Sequence, residues 1–274
     1  VTEEMQARYD RVAEGYARWW GPVIAPMAVR VLDRIEPLVE AGARRILDIG
    51  TGTGTLPIAA LRRWPTVEVV GIDASSEMAA AARREVDRHT GPDDRRRFEV
   101  RTSFADDLPF GDGEFDAAVS SFVLQLVPSR HRVLREARRV VRRGGRLAHV
   151  TWVVGSRPFE PDRVLDEVLD EAGIGPREPE GPRGDYESVE AAAAGLRRAG
   201  FRDVVAEAAE LAHPFDVEGY AGFVEEFDEE STFADFEPAE RARVSARLRE
   251  ELRRLAPEAL VMRLPVVIAH GDRR

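Results

Sequence analysis

Apolar residues follow two rhythms along this chain. Short runs rich in Val, Ile and Leu recur at "RRILDIG" (44–50), "VEVVGID" (67–73), "RFEVRTSF" (97–104), "FDAAVSSFVL" (115–124) and "RLAHVTWVV" (146–154). Runs of that length and composition predict strands covered on both faces. Between them, apolar residues return every three or four positions, which predicts amphipathic helices. "TLPIAALRRW" carries Pro57 in its first turn, where a missing N–H breaks no helical bond. "SSEMAAAARREVDRH" offers Ser75 or Ser76 as an N-cap, and "SRHRVLREARRVVRRGG" is expected to stop at Gly144 and Gly145. Strand–helix alternation over the first 150 residues predicts a mostly parallel, doubly wound α/β sheet. No period of about 20–50 residues repeats, which excludes a solenoid.

After Val154 the rhythm changes. "GSRPFEPDRVLDEVLDEAGIGPREPEGPRGDYES" reads as one helix and then a charged Pro/Gly-rich loop ending near Tyr186. "VEAAAAGLRRAGFRDVVAEAAEL" returns to helix, glycine turn and a sixth strand. Residues 215–258 supply two or three helices, and "VMRLPVVIAHG" closes as a seventh strand. The expected organisation is one domain over residues 1–274. It comprises an N-terminal helical lid (1–40), a ligand-binding core (41–154) and a C-terminal sheet edge (155–274) with a helical cap at about 214–260.

Composition narrows the class. With 43% hydrophobic and 33% charged residues, the chain has a globular balance and no disorder signature. No apolar run approaches the roughly 20 residues of a membrane helix. The stretch "VTEEMQARYDRVAEGYARWW" lacks a signal-peptide core, so a cytoplasmic location is expected. Cysteine is absent, which removes disulfides, thiolate metal sites and thiol nucleophiles. A net charge of -10 argues against nucleic acid as partner. The arginine clusters "DDRRRFEVR" and "LREARRVVRRGGR" read as helix-end and loop charges with acidic neighbours. All 40 basic residues are Arg, which a GC-rich coding sequence explains most simply.

The chemistry concentrates in "ILDIGTGTGTLPIA" (46–59). Glycines between a first strand and its helix let a ligand approach bare backbone, and the helix N-terminus offers N–H groups to an anion. A dinucleotide and S-adenosylmethionine could both use such a turn. The dinucleotide fingerprint G-x-G-x-x-G/A, started at Gly50, ends on Thr55, whereas the glycines here run G-x-G-x-G behind Asp48. The second strand ends in Asp73, where a carboxylate can accept both hydroxyls of a ribose.

Five ordered blocks carry a resemblance over roughly residues 5–155: "YDRVAEGYARWW", "ILDIGTGTG", "GIDASSEM", "DDLPFGDGEFDAAVSSFVLQLVP" and "RVVRRGGRLAHVTW". The chain resembles class I S-adenosylmethionine-dependent methyltransferases of the small-molecule group that includes quinone-biosynthesis enzymes. The resemblance implies a Rossmann-like methyltransferase fold of seven strands, with S-adenosyl-L-methionine as cofactor and S-adenosyl-L-homocysteine as product. It implies that Asp48 and the turn Gly50, Thr51 and Gly52 hold the amino-acid end of the cofactor, and that Asp73 binds the ribose. Ala74 and Met78 would flank adenine, with Ala105 and Asp106 on its other side. Ser120, Ser121 and Phe122 would line the methionine, and Tyr9 and Tyr16 would fold over the site. One departure stands out: members often carry "GDA" before "xxLPF", and "SFA" here puts Phe104 at the position of that adenine-binding Asp. Asp106 is the substitute two residues on.

Each residue also has a plain structural role open to it: strand-end carboxylates for Asp48 and Asp73, apolar packing for Phe104, Met78 and the N-terminal aromatics. Of the five histidines, His89 and His131 read as surface residues and His149 as a satisfied core residue. His213, at the end of a strand, is the one expected at the pocket rim, and Gln125 and Trp152 are the other acceptor-side candidates. The aromatic cap, with Phe215, Tyr220, Phe223 and Phe227, suits an aromatic or lipid-like small molecule. No metal-ligand spacing is convincing. The expected protein is a monomer or homodimer that methylates a small molecule, touching neither nucleic acid nor membrane. The alternatives are an NAD-dependent oxidoreductase and a non-catalytic protein that binds S-adenosylmethionine.

Overall fold

The computed structural model describes residues 3–155, 158–174 and 184–274. Much of the expected Pro/Gly-rich loop, 175–183, lies outside the described residues. The chain opens with α1 (Glu3–Gly15), a π-helical turn (Tyr16–Trp20), α2 (Gly21–Ala28) and α3 (Arg30–Glu40). There follow β1 (Arg45–Ile49), α4 (Thr55–Arg63), β2 (Glu68–Asp73), α5 (Ser76–His89), the single turn α6 (Pro92–Arg95), β3 (Phe98–Thr102) and β4 (Phe115–Ser121). Next come α7 (Arg130–Val140), β5 (Val141–Trp152), α8 (Glu160–Glu171), α9 (Val189–Arg198) and β6 (Arg202–Pro214). The cap comprises α10 (Val217–Phe223), a second π-helical turn (Val224–Asp228), α11 (Glu230–Asp235) and α12 (Pro238–Leu252), after which β7 (Val261–Asp272) re-enters the sheet.

The seven strands form one sheet in the order β3-β2-β1-β4-β5-β7-β6. All adjacent pairs through β5 are parallel, and β7 runs antiparallel to both β5 and β6. Alternate residues of each strand feed opposite cores. Ile46, Val69, Val119 and Val150 join one apolar cluster with α2, α3, α8 and the cap, while Leu47, Val70, Ala118 and Leu147 join another with α7 and α9. Among the described residues no helix is long and apolar enough to cross a membrane.

The glycine stop expected for α7 is corrected. The helix ends at Val140, and Val141 is already extended and paired with Phe115. Gly144 (φ +77°) and Gly145 instead shape an irregularity inside β5, where a Cβ on Gly145 would overlap the carbonyl oxygen of Asp116. The Val140–Val141 pair favours extended backbone, and pairing with β4 takes over before the glycines are reached.

Strand order reverses between β1 and β4, so the loops after these two strands diverge and leave a crevice at their carboxyl ends.

Candidate active site

The turn after β1 is pinned over the end of β2. Gly50 and Thr51 both donate their N–H to the Ile72 carbonyl, at 2.9 and 2.8 Å. Gly50 sits at φ +73°, and a Cβ there would overlap the Val123 side chain, so this position takes glycine on both counts. Gly52 donates its N–H to Asp73 Oδ2 at 2.8 Å, and Ser75 donates its N–H to Oδ1 at 3.0 Å. Backbone N–H groups thus hold both oxygens of Asp73, and the Ala74 N–H also acts on the carboxylate. Burial pushes the Asp73 carboxyl up, against the pull of these N–H groups. Ser75 caps α5, accepting from the Met78 N–H at 3.0 Å, and its hydroxyl donates to Asp10 of α1. The lid is therefore tied directly to the floor of the crevice.

A first cavity opens here. Of the residues singled out in the sequence, Tyr9, Tyr16, Gly50, Gly52, Asp73, Ala74, Met78, Ala105, Ser121 and Phe122 line it. Asp48, Thr51, Phe104, Asp106 and Ser120 do not. Asp48 lies behind the turn, 1% exposed, and neither carboxylate oxygen has a hydrogen bond of normal geometry. Burial raises its pKa to about 7, with the nearby Thr51 hydroxyl opposing and Asp73 adding to the rise. Ser120 is buried and ties β4 to β1 by donating to the Ile49 carbonyl at 2.9 Å. Phe104 is 43% exposed, and Asp106 forms an ion pair with Arg132 at 3.7 Å. The structure thus gives neither Phe104 nor Asp106 a face on the cavity, because the loop after β3 turns both outward.

A second cavity, about 560 Å³, adjoins the first and shares Tyr9, Tyr16, Phe122 and Leu126 with it. Its walls are largely aromatic, with Trp20, Trp152, Phe223 and Phe227 prominent, and its polar groups belong to Arg8, Gln125, Asp162 and Asp228 along with the two tyrosines. Phe122, where the two cavities meet, has φ +54°, a left-handed conformation costly for a bulky residue. Its N–H donates to the Val150 carbonyl at 2.9 Å, and its ring packs 4.2 Å from that of Trp152. Gln125 braces the same bend, donating to the Phe122 carbonyl and accepting from the Thr151 hydroxyl, both at 2.6 Å.

Lid and cap meet above these cavities. The Tyr16 ring lies 5.5 Å from that of Phe227, and Trp19 Nε1 donates to Glu226 at 2.7 Å. Arg18 pairs with Glu226 at 3.2 Å and Arg11 with Glu230 at 2.9 Å. Two glycines permit this approach: a Cβ on Gly15 would overlap the Glu226 backbone, and one on Gly222 would overlap the Trp19 ring. Burial pushes the Tyr16 phenol upward, with Tyr9, Asp73 and Asp48 adding, so it stays a neutral donor.

The rim position expected for His213 is corrected. It lines neither cavity; its ring sits edge-on to Phe215 at 4.6 Å and its backbone pairs with Met262. The reason is topological: β6 is the far edge strand, and β5 and β7 separate it from β4. His149 is buried as expected, yet neither ring nitrogen has a partner among the described residues, and burial lowers its pKa to about 4. Sequence reasoning missed Gln6, Asp10 and Ser103. Gln6, Tyr9 and Tyr16 are spaced three and seven apart on one helical face, a signal that was legible. Taken together, the first cavity offers the Asp73 carboxylate, backbone approach and an apolar flank, with Asp48 buried behind the turn, a set suited to a ligand with a cation, a diol and a flat ring.

A family model described as a methyltransferase domain matches residues 46–145. A demethylmenaquinone methyltransferase of Thermotoga maritima is 34% identical over 140 residues, covering 51% of this chain and 57% of that protein. A phosphatidylethanolamine N-methyltransferase of Cereibacter sphaeroides is 35% identical over 144 residues, covering 52% of this chain and 68% of that protein. The chain spans about half the length of the first curated relatives it matches. Among solved structures, phosphoethanolamine N-methyltransferase 2 of Haemonchus contortus shares the fold, with a TM-score of 0.57 at 17% identity over 97% of this chain and 58% of that one. Match, fold and relatives agree, and the chain belongs to the class I S-adenosylmethionine-dependent methyltransferases.

Proposed function

We propose that this protein transfers a methyl group from S-adenosylmethionine to a small molecule with an apolar or aromatic body. The observation that carries the reading is the adjacency of the two cavities, one bordered by the Asp73 carboxylate and bare backbone, the other aromatic, sharing Tyr9, Tyr16, Phe122 and Leu126. S-adenosylmethionine, when bound, supplies an electrophilic methyl on a positively charged sulfur. Asp48, buried behind the glycine turn with no hydrogen bond of normal geometry, is suited to balance the ammonium of the cofactor's amino-acid end from behind that turn. The Asp73 carboxylate, at the edge of the cavity, suits the ribose hydroxyls, and Ala74, Met78 and Ala105 suit the adenine.

Catalysis in this reading rests on alignment and exclusion of water, for which lid and cap provide the roof. Phe122 holds the junction between the cavities, and Gln125 and Trp152 hold Phe122. His213, which lines neither cavity, takes no part. The relatives' names, one for a quinone precursor and one for a phospholipid amine, span different acceptors, so family membership leaves the acceptor open. The nicotinamide alternative gains no support from the glycine spacing or from the comparisons.

Calorimetric titration with S-adenosylhomocysteine and with NAD tests the cofactor, and release of S-adenosylhomocysteine across an acceptor panel tests the reaction. Tight NAD binding without S-adenosylhomocysteine binding overturns the reading. Bound cofactor with silence across a broad panel leaves a binding protein and removes methyl transfer.

A further inference from the structure

We propose that the acceptor carries a carboxylate on its apolar body, and that Arg8 is the residue that recognises it; this rests on the second cavity being the acceptor site. Arg8 stands on the lid helix α1 and lines the aromatic cavity. Its guanidinium lies 5.4 Å from the ring centre of Phe227 in the cap and 6.0 Å from that of Tyr9. Among the described residues those rings are its neighbours of opposite polarity, and no carboxylate stands within ion-pair distance. The other arginines of the lid differ. Arg11 pairs with Glu230 at 2.9 Å and Arg18 with Glu226 at 3.2 Å, while Arg30 and Arg34 both pair with Glu207. The lid thus commits its other arginines to protein carboxylates and leaves the one at the cavity without such a partner.

Attraction to a ring face is electrostatic and consumes no N–H, so the guanidinium keeps its planar fork of donors. Arginine is weakly hydrated and tolerates an aromatic wall, and its fork matches the two oxygens of a carboxylate. Asp162 and Asp228 line the same cavity, but neither is that partner. Asp162 accepts the Tyr220 hydroxyl at 2.7 Å, and both carboxylates have partners of their own. An ammonium on the acceptor would meet Arg8 as a like charge, and a neutral alcohol gains only an ordinary hydrogen bond. A phosphate monoester brings close to two negative charges against one cation, in a cavity that two carboxylates already line. A single carboxylate matches Arg8 in both charge and shape.

The test uses the full chain saturated with S-adenosylhomocysteine at neutral pH and two series of probes. One is indole-3-propionate, tryptophol and tryptamine; the other is octanoate, octanol and octylamine. In at least one series calorimetry should show the carboxylate bound about tenfold or more tighter than either companion, the scale of one charge-assisted contact. Arg8→Met keeps an apolar stem beside the rings and removes the charge; it should abolish that preference while leaving S-adenosylhomocysteine affinity unchanged. Arg8→Lys, which restores the charge without the fork, should recover part of it. The inference is overturned if the carboxylate leads in neither series, if no probe binds, or if Arg8→Met retains the preference. Failure of S-adenosylhomocysteine to bind the wild type would instead strike the proposed function, so the two failures are separable in one experiment.

Discussion

Asp48→Asn is the most informative single substitution, because it should move stability and ligand affinity in opposite directions. Asp48 is 1% exposed and its carboxylate has no hydrogen bond of normal geometry. Its pKa rises from 3.8 to about 7, chiefly through burial. Between those values the folded protein keeps a proton that the unfolded chain has lost. Stability therefore falls as pH climbs through this window and levels off above about 7. The full cost is about 4 kcal/mol, taken as an upper limit. Asparagine has the same shape and no charge to desolvate. The ligand-free variant should match the wild type near pH 4 and melt higher at pH 8, each kcal/mol being worth about 2–4 °C in a chain of this size. In the proposed function the ligand's ammonium would offset the buried charge of the wild type. The variant should accordingly bind S-adenosylhomocysteine more weakly at pH 8 by about 2–4 kcal/mol, roughly 30- to 1000-fold. Wild-type affinity should itself decline as pH drops below 7. Differential scanning fluorimetry across pH and calorimetry read both arms. A melting difference that does not change with pH, or unaltered affinity in the variant, would refute the reasoning.

Other substitutions probe separate joints of the site. Asp73→Ala should cost about 2–4 kcal/mol of S-adenosylhomocysteine affinity, and unchanged affinity would mean that the ribose is held elsewhere. Phe104→Asp alters a side chain that is 43% exposed and off the cavity, so melting temperature and affinity should shift by less than about 0.5 kcal/mol; a large loss would show the ring packing on adenine. Gly222→Ala forces a methyl into the Trp19 ring and should destabilise the protein by about 1–3 kcal/mol in denaturant titration, with no effect if the lid yields freely. His213→Ala should leave methyl-transfer rate intact, and a drop of about 10²–10⁴ would restore it as a general base.

What the sequence alone determined is local. Seven strands and their helices were legible because each hydrophobic run carries its own period, and burial on both faces writes that period into β1 through β5. The places of Asp48 in β1 and of Asp73 at the end of β2 were legible because the glycine turn and the strand end are both read within a few residues. Ser75 as the cap of α5 follows from the same short-range bonding. Tertiary structure decided the rest. The antiparallel insertion of β7 between β5 and β6 put His213 at the far edge, which no window around His213 could reveal. The stop of α7 at Val140 came from pairing with β4, overriding the glycines. The second cavity is assembled from α1, the turns after β4 and β5, α8, and a cap about two hundred residues from the lid; its shape depends on Gly15 and Gly222 allowing backbone and ring to touch. Local pattern fixes which face of an element is buried, whereas which elements share a cavity is set by long-range packing, and packing is where the second cavity was made.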